Sequence, residues 1–336
     1  MAVPHQAHND FDGDSRSDIL WRSDTGVLGE SLGQPDGGFA GNALVNVPVS
    51  TDWQVAGIGD FNGDDRSDIL WRNSSTGVIS ESLGQPDGGF AGNALVTVAV
   101  STDWQIAGIG DFNGDGRSDI LWRNSTTGVI SESLGQSDGG FAGNALVTVA
   151  VDRSWQVAGI GDFNGDGRSD ILWRLGPFVG IAGNGWSFSE SLGQPDGGFA
   201  GNPIVNVHVA GKQFVAIGDF NGDGRSDILW RDDGSSYSNA LSGFYAGTVY
   251  ESLGQPDGSF ADNSAATMVL NTDWHVASVG DYNGDGTDDI MLQNKDGQIA
   301  EWLANSSGAF AVNPAIDLNP GTQWHMQDPF IHDPFA

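Results

Sequence analysis

The chain has 336 residues, with 44 Asp and Glu against 13 Lys and Arg and a formal net charge of −31. An acid excess of this size, with ten of the Arg used as repeat elements, excludes nucleic-acid backbone binding, which needs clustered cations. The absence of Cys excludes disulfides and thiol chemistry, and no apolar run is long enough to insert in a membrane.

Taken in order, residues Met1 to Asn9 form a polar lead carrying His5 and His8. This lead shows no signal-peptide pattern. It stands where later repeats carry a strand such as Trp53-Gln-Val-Ala-Gly-Ile-Gly59, so the first repeat lacks its own first strand.

From Asp10 a nine-residue stretch opens that returns in phase five more times. Oxygen-bearing side chains stand at its first, third, fifth and ninth positions, with a turn-forming residue at the sixth. The sets are Asp10, Asp12, Asp14 and Asp18; Asp60, Asn62, Asp64 and Asp68; and Asp111, Asn113, Asp115 and Asp119. Further on come Asp162, Asn164, Asp166 and Asp170; Asp219, Asn221, Asp223 and Asp227; and Asp281, Asn283, Asp285 and Asp289. Alternate oxygens on a tight loop suit Ca²⁺, which takes roughly 6–8 oxygen ligands, better than Mg²⁺, which demands octahedral geometry and keeps its waters. One Ca²⁺ per loop, up to six, is the expected cofactor. Each divalent ion would offset part of the −31 and reduce self-repulsion.

The loop opens like an EF-hand, but the twelfth position holds Trp21, Trp71, Trp122, Trp173 and Trp230 instead of a bidentate Glu. Its flanks, Val-Ala-Gly-Ile-Gly before and Asp-Ile-Leu-Trp-Arg after, read as short buried strands. Within the first repeat the pattern continues with strands over Asp18–Arg22, Val27–Leu32 and Leu44–Val49, the last two joined by a Gly-rich connection over Gln34–Asn42. Four strands in a period of about fifty residues describe a propeller blade. The predicted fold is therefore an all-β, six-bladed propeller of four-stranded blades, one domain over residues 1–336. A seven-bladed ring is the alternative, and it lacks three further strands. Thr322-Gln-Trp-His-Met326 repeats the strand missing at the start, so the C-terminal segment is expected to complete the first blade and close the ring.

Other positions recur with the loop. Glu30, Glu81, Glu132, Glu190, Glu251 and Glu301 fall in the third strands, and a cross-strand ion pair with the Arg after each Trp is expected, Gln293 breaking the pattern in the sixth blade. Phe39, Phe90, Phe141, Phe199, Phe260 and Phe310 are expected to plug the space between blades. Three loops depart from the common form. The first has Asp12 and Ser15, the second has Asp65 where Gly is usual, and the sixth has Thr287 and Asp288 in place of Arg-Ser.

Strand, Asp-x-Asn-x-Asp-Gly-x-x-Asp loop, strand, and the connection Ser82-Leu-Gly-Gln-Pro-Asp-Gly-Gly-Phe90 together resemble FG-GAP/VCBS repeats, the repeats of integrin α-subunit propellers, many bacterial secreted proteins and some lectins. The resemblance covers nearly the whole chain. It implies a calcium-stabilised propeller outside the cell or at its surface, used for recognition.

Symmetry breaks in the fourth and fifth repeats, where the turn between second and third strands lengthens over Leu175–Ser189 and Asp232–Thr248. These inserts carry Phe178, Trp186, Phe188, Tyr237, Phe244 and Tyr245 among small polar residues, a composition suited to a sugar ring or a protein surface. Packing of the inserts on each other is the competing reading. No nucleophile, base and orienter stand together, and the six His are scattered. The expected function is non-catalytic, lectin-like glycan binding or adhesion to a cell-surface or matrix protein. A protein-binding scaffold, or a part of a polysaccharide-degrading enzyme, is the alternative.

Overall fold

The computed structural model describes residues 8–178, 185–210, 212–232, 247–314, 316 and 318–328. Among them there is no helix, and 24 strands form six four-stranded antiparallel sheets. The first sheet uses β1 (Ile19–Ser23), β2 (Val27–Gly33) and β3 (Phe39–Pro48), and the second β4 (Trp53–Gly59), β5 (Asp68–Asn73), β6 (Val78–Gly84) and β7 (Phe90–Ala99). The third contains β8 (Trp104–Gly110), β9 (Asp119–Asn124), β10 (Val129–Gly135) and β11 (Phe141–Ala150). The fourth contains β12 (Trp155–Gly161), β13 (Asp170–Phe178), β14 (Gly185–Gly193) and β15 (Phe199–Ala210). The fifth is built from β16 (Lys212–Gly218), β17 (Asp227–Asp232), β18 (Thr248–Gly254) and β19 (Phe260–Val269), and the sixth from β20 (Trp274–Gly280), β21 (Asp289–Asn294), β22 (Ile299–Leu303) and β23 (Ala311–Val312).

The last strand, β24 (Trp324–Met326), pairs antiparallel with β1 through Trp21 with Met326 and Ser23 with Trp324. It supplies the first blade's missing inner strand, as the repeated Thr-x-Trp sequence predicts, and the result is a six-bladed ring rather than a seven-bladed one. Neighbouring inner strands β4, β8, β12, β16 and β20 pack side by side around the axis. Closure covers the inner edge of β1 at the seam, and the short inner-strand edges that remain are protected by packing side by side around the axis.

The core lies between blades. Phe11, Leu20, Leu28 and Val45 of the first blade meet Ile69 and Trp71 of the second, and the same set recurs at the next two interfaces. Period-2 alternation produces this, because Leu20 and Ile69 types face opposite neighbours. A fully buried Leu, Ile or Phe contributes roughly 1.5–3 kcal/mol, so each blade is stabilised mainly by its neighbours. The recurring Phe residues do plug the interfaces. Phe11 meets Phe90 edge-on at 5.2 Å, Phe61 meets Phe141 at 5.3 Å and Phe112 meets Phe199 at 5.3 Å.

The fourth strands differ from expectation. In the first five blades they begin at the recurring Phe, five residues earlier than Leu44 in the first blade, and contain a bulge. In β6 and β7, Ser80 pairs with Thr97 while Glu81 pairs with Asn93. Ala94, Leu95 and Val96 are thereby pushed out of register, which hides the strand from an alternation count. Leu95 ends 61% exposed and Val96 2%.

Candidate metal loops and inter-blade grooves

The Asp-rich loops join first and second strands on one face of the ring. In the second blade Asp60 Oδ1 accepts from the Gly63 and Asp64 amides at 2.7 and 3.1 Å, and Oδ2 from Asp65 N at 2.8 Å. Asp68 accepts from Phe61 N at 3.0 Å and Gly84 N at 2.9 Å, tying the loop to the third strand. Each loop also grips its neighbour. Ser67 N donates to Asp10 O, Ser118 N to Asp60 O, Ser169 N to Asp111 O, Ser226 N to Asp162 O, Asp288 N to Asp219 O and Ser17 N to Asp281 O, a closed circle of six.

The side chains fit a hard cation. Asx turns account for the amide contacts of Asp60, but they leave the Asn62, Asn113, Asn164 and Asn221 Oδ1 atoms buried without a hydrogen-bond partner. A buried unsatisfied oxygen costs about 1–3 kcal/mol. In the first loop, where Asp replaces Asn, Asp10, Asp12 and Asp18 bring carboxylate oxygens within 4.8 Å of one another. Burial, opposed by backbone amides, raises Asp10 to about 6, Asp18 to about 8 and Asp119 to about 8. A divalent ion at the same place would remove that penalty and use the idle amide oxygen. The fifth-position residue is already engaged: Asp64, Asp115, Asp166 and Asp223 pair with the loop Arg two residues on. Ser15 and Asp65, which replace the sixth-position Gly, sit at φ 67° and 63°, so both departures carry left-handed backbone.

The expected Arg–Glu pair does not form in blades one to three. Register sets Arg72 opposite Ile79 and Glu81 opposite Leu70. The Arg72 guanidinium instead lies over Trp122 of the next blade at 5.5 Å, and Arg22 and Arg123 lie over Trp71 and Trp173 in the same way. Glu81 is buried, accepts from Asn93 Nδ2 at 2.7 Å, and leaves Oε1 without a partner. The same Asn93 donates to Asp138 O of the following blade at 3.2 Å. This Glu–Asn clasp recurs at all six interfaces, closing with Glu301, Asn313 and Gly37 O. Sequence reading singled out the Glu but missed the Asn, although Asn42, Asn93, Asn144, Asn202, Asn263 and Asn313 recur as regularly.

Of the aromatic residues on the inserts, Phe188 is a correction. It is 2% exposed and meets Trp230 edge-on at 4.9 Å, so it belongs to the core between the fourth and fifth blades and offers no ligand face. Trp186 is half-buried beneath the Arg174 guanidinium at 5.1 Å. The fourth-blade insert lengthens the β13–β14 hairpin, at the end remote from the Asp-rich loop. Phe178 lies on β13 and its side chain is outside the described set; Tyr237, Phe244 and Tyr245 lie outside the described residues.

Grooves run between blades along the outer wall. One of about 300 Å³, between the first and second blades, is backed by Trp53, Trp71, Ser80 and Ser82 and walled by Leu44, Val47 and Val49. Its counterpart between the sixth and first blades encloses about 630 Å³ and is backed by Trp324, Trp21, Gly29 and Ser31.

Six antiparallel blades, Asp-rich loops on one face and clasps between neighbours define an all-β propeller of the repeat type. The chain belongs to the FG-GAP-like repeat family, whose profile matches residues 60–122, 111–173 and 219–292. Among solved structures it is similar to a chain of the Photorhabdus luminescens Tc holotoxin pore, at 16% identity and a TM-score of 0.56. That likeness covers 93% of this chain and 14% of the other, and it shows the fold alone. No curated protein matches.

Proposed function

We propose that this propeller is a calcium-stabilised, non-catalytic recognition module acting outside the cell or at its surface, with glycans as its ligand class. The observation that carries the glycan reading is the inter-blade groove, in which the half-buried Trp53 indole and the half-buried Ser80 hydroxyl line one cavity. A sugar ring has an apolar face that lies on an indole and hydroxyls that exchange hydrogen bonds with serine. Calcium is supported by the orphaned Asn oxygens of four loops. A glycan array probed with the calcium-loaded chain tests the reading: binding to defined saccharides supports it, and an array without signal rejects it.

A protein-binding scaffold is the second reading. It is favoured by Leu44, Val47, Leu95, Val98, Leu146 and Val149, apolar side chains at least half exposed along the outer strands of three consecutive blades. Pull-down of a cell-surface or matrix protein that does not compete with sugar would favour it.

A further inference from the structure

We infer that the outer edges of the second and third blades, β7 and β11, each take up an extended segment of another protein as a fifth strand, a segment with alternating apolar side chains and Lys or Arg at its ends. This rests on the scaffold reading above and names its partner. Each fourth strand is the last of its sheet, and no strand lies beyond it among the described residues. Such an edge is a template for another chain unless Pro, charge or brevity blunts it.

Four of the six edges are blunted, and not in one way. In the first blade β3 ends on Pro48, in the fourth β15 contains Pro203, and in the fifth β19 carries the exposed Asp262. In the sixth, β23 is two residues long and runs into Asn313-Pro314. By contrast β7 and β11 share the sequence Phe-Ala-Gly-Asn-Ala-Leu-Val-Thr-Val-Ala, ten residues without a Pro or a charge.

Pro48 also shows which main-chain groups matter. Val49 N donates to Gly26 O, as Val100 N does to Gly77 O and Val151 N to Gly128 O. An antiparallel ladder alternates, so the residues one and three places earlier turn their N–H and C=O groups away from the third strand. In β7 these are Ala99 and Thr97, and in β11 Ala150 and Thr148, all exposed. In β3 the place of Ala99 is held by Pro48, which has no N–H to give. Beyond the shared bulge, β7 and β11 therefore present an outward ladder that β3 lacks. Leu95 and Val98 are 61% and 52% exposed, and Leu146 and Val149 63% and 53%. They offer apolar contact to alternate side chains of an added strand, while the ladder supplies the main-chain bonds.

Charge selects the occupant. The chain carries −31, and exposed Asp87 and Asp103 precede and follow β7 as Asp138 and Asp152 do β11. The Arg72 guanidinium nearby is engaged by Trp122 and Ser101 O, and that of Arg123 by Trp173 and Asp152 O. A segment with cationic ends is attracted. A second copy pairing its own β7 antiparallel would set Asp87 of one chain towards Asp103 of the other.

The test is isothermal titration of the full chain, in calcium and at physiological ionic strength, with a peptide of alternating Thr and Val that has Lys at both ends. It is repeated on Ala99→Pro, Ala150→Pro and the double variant, which copy the first blade and whose fold a thermal melt verifies. Binding of one peptide per edge, reduced to a single site by either substitution and weakened about tenfold or more by both, supports the proposal. Pro48→Ala should then add a site. Binding unchanged in the double variant is charge attraction without strand addition and overturns it, as do equal binding of the same peptide with Glu in place of Lys and no binding at all. A dimer of the chain that the double variant abolishes, with no peptide bound, overturns it in favour of a second copy. A cell-surface or matrix protein that the double variant holds as well as the parent overturns the edges and leaves the scaffold reading standing.

Discussion

Phe39 of the first blade meets Tyr282 of the sixth edge-on, ring centroids 5.5 Å apart, and so completes a circle of six aromatic pairs. Tyr282 stands where the other loops carry Phe, is fully buried, and donates its hydroxyl to Ser278 at 2.8 Å. Because this ring is fully buried at the seam, Tyr282→Ala is expected to cost about 3–5 kcal/mol, the range for emptying a large aromatic site. Tyr282→Phe, which keeps the ring contact, should cost about 1 kcal/mol for the lost hydrogen bond. Urea unfolding of the two variants measures the difference, and equal midpoints would show that the seam contact does not hold the ring.

Asp65 and Ser15 take up the left-handed backbone that Gly116, Gly167 and Gly224 occupy in the equivalent loops. A Cβ at Gly116 would meet nothing within 4 Å, so the cost at this position is conformational and not steric crowding by neighbours. Asp65→Gly and Ser15→Gly are expected to stabilise the folded chain by up to about 1 kcal/mol each. A lower melting temperature for both would mean that these side chains supply contacts outweighing the backbone strain.

Much of this was legible in the sequence, and what was not has a common cause. Loops, blade count, ring closure and the interfacial Phe follow from self-similarity, because any residue kept in phase six times must occupy one environment. The Arg–Glu pairing failed because both residues lie on one face but on a diagonal, and the next blade offers Trp122 to the Arg and Asp138 O to the clasp. Contacts between repeats do not show in the sequence of one repeat. Phe188 was misread for a related reason: an aromatic inside an insert looks exposed until Trp230 is seen to cover it.

The clasp predicts an unusual pH dependence. Burial raises Glu81 to about 8 and Glu132 to about 7, against hydrogen bonds from Asn93 and Asn144 that lower them. Both values lie above the ordinary carboxyl range of the unfolded chain. The folded state therefore holds protons near neutrality that the unfolded state has released, so stability is full below about pH 4.5 and is lost as pH rises towards about 8. Metal-stripped protein should melt at progressively lower temperature from pH 5 to pH 8, and Glu81→Gln should flatten that slope. A melting temperature that rises over the same interval would contradict protonated clasps.

Calcium and the metal-free Asx turn make opposite predictions for Asn113. Its Oδ1 is buried and bonds nothing in the metal-free loop, while Asp111 and Asp119 already satisfy the surrounding amides. If the loop holds no ion, Asn113→Ala removes an idle atom and should leave the melting temperature unchanged with or without chelator. If it holds Ca²⁺, the unsubstituted chain carries up to six ions and its melt rises in excess Ca²⁺, because an ion that binds only the folded state stabilises it by mass action. Asn113→Ala should then lose one ion by elemental analysis after gel filtration and part of the calcium-dependent rise, while its chelated melt stays with the parent. An identical metal count in both proteins would remove the third-position oxygen from the ligand set, and a count of zero would end the calcium reading altogether.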